Sequence, residues 1–164
     1  AYSRAYGYFK SAKSIYNIIL ENNKRGMDFI KLNKETTRLI DEIFSKNHRK
    51  IGMSKTRHMF SSANTPEGYV DYINTILENV DNIYYIEGEI GTGKSTILKR
   101  LMEIGNIEGY SMEIYHNSTI PEKIESIIIK ELKTCITSNE KALEFPHKKI
   151  NLNNFPKNIL MKSI

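Results

Sequence analysis

"YYIEGEIGTGKST", residues 84–96, decides how the rest of the chain is read. The uncharged run 83–86 before it suits a buried strand. After it, Ile97, Leu98, Leu101 and Met102 recur at helical spacing up to Gly105. Between strand and helix, residues 88–95 read G-E-I-G-T-G-K-S, a full match to the phosphate-loop pattern G-x-x-x-x-G-K-[ST], or Walker A. Gly88, Gly91 and Gly93 permit backbone angles that a Cβ forbids, so that successive N–H groups, that of Thr92 included, turn toward one anion. The N-terminus of the following helix adds its unpaired N–H groups and dipole. Lys94 supplies a cation for the outer phosphates and Ser95 a hydroxyl for Mg²⁺, which prefers oxygen ligands. Thr96 offers a hydroxyl or N–H to the inner phosphate. A chance match is expected in about one chain of this length in a hundred. Its position at a strand-to-helix passage, where the chemistry needs it, favours nucleoside triphosphate binding.

Outward from this loop, strands and helices alternate. A strand is expected at 57–61. "NTPEG", 64–68, reads as a helix start with Thr65 as N-cap and Pro66 at the first helical position, carrying Tyr69, Tyr72, Ile73, Ile76, Leu77 and Val80 on one side. A strand at 110–115 follows the phosphate-loop helix. Next comes a helix opened by Pro121, with Ile124, Ile127, Ile128 and Leu132 inward. Two further strands are expected near 134–137 and 149–152. The alternation predicts an α/β fold, a mainly parallel sheet flanked by helices of the P-loop NTPase type. Before it lies a helical segment, 1–46. There Tyr8, Phe9, Ala12, Ile15, Tyr16, Ile19 and Leu20 form one stripe that ends near Gly26. A second helix has Asn33 as N-cap and Leu39, Ile40, Ile43 and Phe44 buried. Residues 47–56, rich in Lys, Arg and His, form a basic linker. Residues 57–164 form the nucleotide-binding domain, expected to be incomplete at its C-terminus. The chain starts without an initiator methionine and ends soon after a strand, so further sequence is expected outside it.

Composition bounds the function. Of 164 residues 40% are hydrophobic, enough for a core, and no apolar run approaches the roughly 18 residues that span a bilayer. One cysteine, Cys135, excludes an internal disulfide framework and fits a cytoplasmic protein; it is expected to be inert in an apolar strand. Net charge is +5, concentrated in residues 1–57, where 13 Lys/Arg face 5 Asp/Glu. The bland reading is a solvated basic face; the sharper one is a nucleic-acid or anionic-lipid footprint, weakened by the scatter of the charges.

Turnover needs more than the loop: a carboxylate near the metal and a residue that orients the nucleophile. No apolar run after the loop ends in Asp. "LKTCITSNE" ends in Ser138, Asn139 and Glu140, which leaves Glu140 or Glu144 as the candidate carboxylate. His116 and Asn117 fall at the C-terminal end of a strand, the edge that faces ligands in open α/β sheets, and His116 is the candidate catalytic side chain beside Lys94. His147, after Pro146, is a weaker candidate for the same edge. No His or Cys pair has zinc-ligand spacing.

Four runs, "RHMFSSANTPEGYV", "YYIEGEIGTGKSTILKRL", "MEIYHNSTIPEKIESIII" and "PHKKINLNNF", together resemble an uncharacterised family of bacterial tandem P-loop ATPases found in spore-forming Firmicutes. The resemblance implies the helical end of a first half followed by the start of a second, ATP or GTP at residues 88–96, and His116 and the Pro146–His147 pair near the nucleotide. The chain departs from that pattern in "TCITSNEKALEFPH", which lacks the family's acidic residue before the Pro-His pair.

The leading expectation is a Mg²⁺-dependent NTP hydrolase. ATP is favoured over GTP because no N/T-K-x-D guanine-reading run follows the loop. The alternatives are a nucleotide or small-molecule kinase, and a nucleotide sensor with little turnover that acts on a protein partner or a second copy of itself. The kinase would need an arginine-rich lid, and Arg100 is the only arginine beyond residue 57. A nucleic-acid motor is supported only by the basic N-terminal third.

Overall fold

The computed structural model describes residues 10–19, 29–44, 55–88 and 93–152. The expectations for Tyr8, Phe9, Leu20, Gly26, Gly91, Thr92 and most of the 47–56 linker lie outside them.

Helices α1 (10–19) and α2 (Phe29–Phe44) come first. Then follow β1 (Thr56–Phe60), β2 (Ser62–Thr65), β3 (Gly68–Asp71), α3 (Ile73–Glu78), β4 (Asn82–Glu87) and α4 (Lys94–Ile107). The rest is β5 (Met112–His116), β6 (Ile124–Ile129), β7 (Thr134–Thr137) and β8 (Lys148–Asn151), with 3-10 turns at Lys130–Leu132 and Glu140–Glu144. One six-stranded sheet runs β1-β5-β6-β7-β4-β8. β1 is parallel to β5, and β4 to both β7 and β8. β6 alone is reversed, antiparallel to both its neighbours. The expected α/β class with a mainly parallel sheet is present.

Side chains of β4 alternate between two cores. Tyr84 and Ile86 face the core built with Leu98 and Leu101 of α4 and Leu39 and Ile43 of α2. Ile83 and Tyr85 face the core built with Ile73 and Leu77 of α3 and Ala142 of the second 3-10 turn. A strand covered on both sides is an apolar run, which is how residues 83–86 read. Helix α2 packs into the sheet: its Leu32, Leu39 and Ile43 are buried in the same core.

Several local expectations are overturned. The run "IESIII" is strand β6 and not a helix: its apolar residues serve both faces, and three adjacent β-branched isoleucines suit a pleated surface. Thr65 and Pro66 begin no helix. They form the tip of the β2–β3 hairpin, with Pro66 second in the turn and Gly68 at φ 126°. Tyr69 and Tyr72 are accordingly exposed, and α3 starts only where the Ile73 N–H donates to Asp71 Oδ1 at 3.0 Å. Asn33 lies inside α2, its carbonyl accepting from the Thr37 hydroxyl at 2.9 Å, and caps nothing. Gly105 also lies inside its helix, which continues to Ile107. On α1 the expected stripe is not buried: Ile15 is 59% and Ile19 37% exposed. Among the described residues no helix is long and apolar enough to cross a membrane.

Core position and surface position on α4 should separate cleanly. Leu101→Ala, at a fully buried site, is expected to cost about 3 kcal/mol. Ile107→Ala, at a site 76% exposed, should stay within about 0.5 kcal/mol. Urea titration followed by circular dichroism measures both.

Candidate functional site

The sheet's topology opens a crevice at the end of β4. From β4 the chain crosses by α4 over one face toward β5; from β7 it crosses by the 3-10 turn over the other face toward β8. Right-handed crossovers that run in opposite directions must use opposite faces, and these do. Outside the C-terminal end of β4 the two connections part, the place where open α/β sheets receive ligands.

Gly88 directly follows β4, and the Leu152 N–H donates to the Glu87 carbonyl at 2.8 Å, holding the strand end. Gly93 stands at φ 102°, in the left-handed region, immediately before α4. A Cβ there would meet the Leu32 side chain of α2 at 2.7 and 2.8 Å. So the backbone angle calls for glycine, and a larger residue would also have to displace the Leu32 methyls. Gly93 also has no side chain with which to cap α4. The first-turn N–H groups of Lys94, Ser95 and Thr96 therefore stand at the positive helix end without the cap a Ser or Asp at that position would supply. Lys94 and Ser95 are half-buried and Thr96 is exposed.

Burial holds the Lys94 ammonium below its ordinary pKa; the positive charge of Lys123 adds to this and the carboxylate of Glu140 opposes it. Lys94 opens α4, Lys123 precedes the reversed β6 and Glu140 follows β7, so all three stand on the same edge of the sheet. Glu140 arrives because it follows β7, the parallel neighbour of β4, at the start of the turn that leaves across the second face. Asn139 fixes that start by accepting from the Lys141 N–H at 2.9 Å. Its Nδ2 donates to Glu125 Oε1 at 2.7 Å, and Asn117 donates to Glu125 Oε2 at 3.3 Å, so one carboxylate ties together the ends of β5, β6 and β7. Glu144, at the far end of the same turn, is exposed.

His116 ends β5 on the same edge as expected, but β6 and β7 separate it from β4, a lateral distance of about 14 Å. Both ring nitrogens are engaged. Nδ1–H donates to the Pro121 carbonyl at 2.8 Å, which makes Nε2 the acceptor for the His58 Nδ1–H, also at 2.8 Å. The structure therefore places Lys94, Ser95 and Glu140 beyond the C-terminal ends of the neighbouring strands β4 and β7, and leaves His116 beside His58. His147, before the start of β8, donates from Nδ1 to the Phe145 carbonyl, and its ring meets that of Tyr85 in a T-shaped contact. Cys135 is fully buried, its thiol pushed up to about 12 by burial, and stays protonated.

Sequence reading passed over Lys123 and Glu125. Both lie in the stretch read as a helix, so their arrival at the ligand edge depends on the reversal of β6. The oxygen-bearing side chains expected for Mg²⁺ are the Ser95 hydroxyl in the first turn of α4 and the Glu140 carboxylate just after β7. No three His, Cys, Asp or Glu side chains converge among the described residues. Two oxygen donors fit an ion that keeps several waters and takes the rest of its shell from phosphates. A second concavity, about 410 Å³, lies at the opposite end of the strands between Thr75, Asn79, Tyr115 and Lys130.

No family model, curated protein or solved structure matches the chain, so the likeness to tandem P-loop ATPases rests on the quoted runs alone.

Two variants test this geometry. Gly93→Ala should lose about 1–2 kcal/mol of stability through the left-handed backbone angle alone. Lys94→Met should raise the thermal midpoint of the nucleotide-free protein near neutral pH. Folding lowers the Lys94 pKa, so its charged form opposes folding below the folded value, and the opposition fades as pH climbs from there to the ordinary lysine range. The gain from Lys94→Met should therefore shrink at alkaline pH, which thermal melts across pH measure.

Proposed function

We propose that this chain binds Mg·ATP at residues 88–96 and hydrolyses it slowly. One observation carries the reading: a complete phosphate-loop sequence stands at the passage from a doubly covered parallel strand into α4, with a desolvated Lys94 at the helix start. In this reading the α4 N–H groups and Lys94 hold the phosphates, as a positive helix end and a poorly solvated cation favour. Ser95 and Glu140 would hold Mg²⁺, whose charge would neutralise the phosphoryl oxygens. Glu140 takes the part of the absent aspartate, one strand over from the loop. His116 has no part in the chemistry at its distance. The likeness to tandem P-loop ATPases supports the same class of ligand.

A second reading, a nucleotide sensor, is favoured by the same departure from pattern, since no strand beside β4 ends in aspartate. Phosphate release from Mg·ATP, measured on the wild type and Glu140→Gln, separates the two. The hydrolase reading expects wild-type turnover and a loss of about 100-fold or more in Glu140→Gln, with ATP affinity changed less than about threefold. Equal turnover in both proteins would remove Glu140 from the site. Binding without turnover in the wild type would leave the sensor, and turnover only with an added acceptor would make the chain a kinase.

A further inference from the structure

We propose that Lys123 is a second cation for the terminal phosphate of the nucleotide and that helix α1 competes for it, so that triphosphate binding and docking of α1 oppose each other. The inference rests on reading residues 88–96 as a phosphate loop.

Lys123 reaches this edge because β6 is the reversed strand. The residue before β6 stands where the five other strands end. β6 lies two strand spacings from β4, about 10 Å, within reach of two extended lysine side chains that share one anion.

The backbone that carries Lys123 is firmly held. Asn117 Oδ1 accepts from the Thr119 and Ile120 N–H groups, each at 2.9 Å. The Asn117 N–H donates to the Lys123 carbonyl and the Lys123 N–H to the Ile120 carbonyl, again at 2.9 Å. His116 holds the Pro121 carbonyl. A change at this turn is therefore a swing of the lysine side chain and not a shift of the loop.

That side chain has a partner on α1. The Lys123 ammonium lies 5.6 Å from the centre of the Tyr16 ring, and Lys13 of α1 pairs with the adjacent Glu122. Tyr16 is half-buried whereas Ile15 and Ile18 are 59% and 63% exposed, so α1 meets this turn through a cation–π contact and an exposed ion pair. Both are among the weaker contacts in proteins. A charge-assisted bond from Lys123 to phosphate is stronger. The lysine cannot serve both at full strength. A terminal phosphate would draw it from Tyr16 and loosen α1, while a diphosphate, lacking that group, would leave the contact in place.

Calorimetry with Mg·ADP and the magnesium complex of a non-hydrolysable ATP analogue tests this on the full chain. Lys123→Met should weaken the triphosphate analogue about 10-fold and ADP less than about twofold, with Lys123→Arg restoring most of the loss. Tyr16→Leu keeps apolar bulk but removes the ring, and should tighten the analogue about threefold without altering ADP. Hydrogen exchange in residues 10–19 should speed up with the analogue and not with ADP. If Lys94→Ala abolishes binding of both nucleotides but Lys123→Met weakens neither, or both equally, the inference is overturned and the phosphate loop stands. Unchanged or slower exchange in 10–19 with the analogue would overturn the competition. If the wild type binds neither nucleotide, the phosphate-loop reading falls and this inference with it.

Discussion

The placement of β4 between two parallel strands governs what the rest of the molecule can do. With β7 on one side and β8 on the other, its backbone groups are paired in both directions and its side chains fill two cores. The handedness of crossovers then forces α4 and the 140–144 turn onto opposite faces. Their separation leaves the end of β4 open to ligand and sets Lys94 and Glu140 on either side of it. Neither residue is close to the other in sequence.

The site is held under some tension. A half-buried ammonium whose pKa burial holds down is a poor contribution to the stability of the nucleotide-free protein. Gly93 adds an unusual backbone angle pressed against Leu32. Features of this kind persist where a ligand gives them a use. Leu32 of α2 lies where a Gly93 side chain would stand and belongs to the same core as Tyr84 and Ile86.

The sequence made the central elements legible because their signals were redundant. β4 is an uncharged run and α4 an apolar stripe, with a glycine-rich run between them. β7 was placed at Thr134–Thr137 as expected. The errors arose where one pattern admits two structures. Ile124, Ile127, Ile128 and Leu132 satisfy helical spacing, but a strand buried on both faces has no alternation that would betray it. Pro66 after Thr65 suits a helix start and a hairpin turn alike, and Gly68 three residues on belonged to the turn. Missing β6 hid Lys123 and Glu125. The position of His116 at a strand end was legible, whereas its distance from β4 was not, because strand order follows from pairing across the whole sheet.

The most direct test of the account is amide NMR of this 19.0 kDa chain during titration with Mg·ATP. The account predicts that the N–H signals of Lys94, Ser95 and Thr96 move first and furthest, with smaller changes at Lys123 and Glu140. Changes confined to the concavity around Thr75, Tyr115 and Lys130, or no changes at millimolar nucleotide, would contradict it.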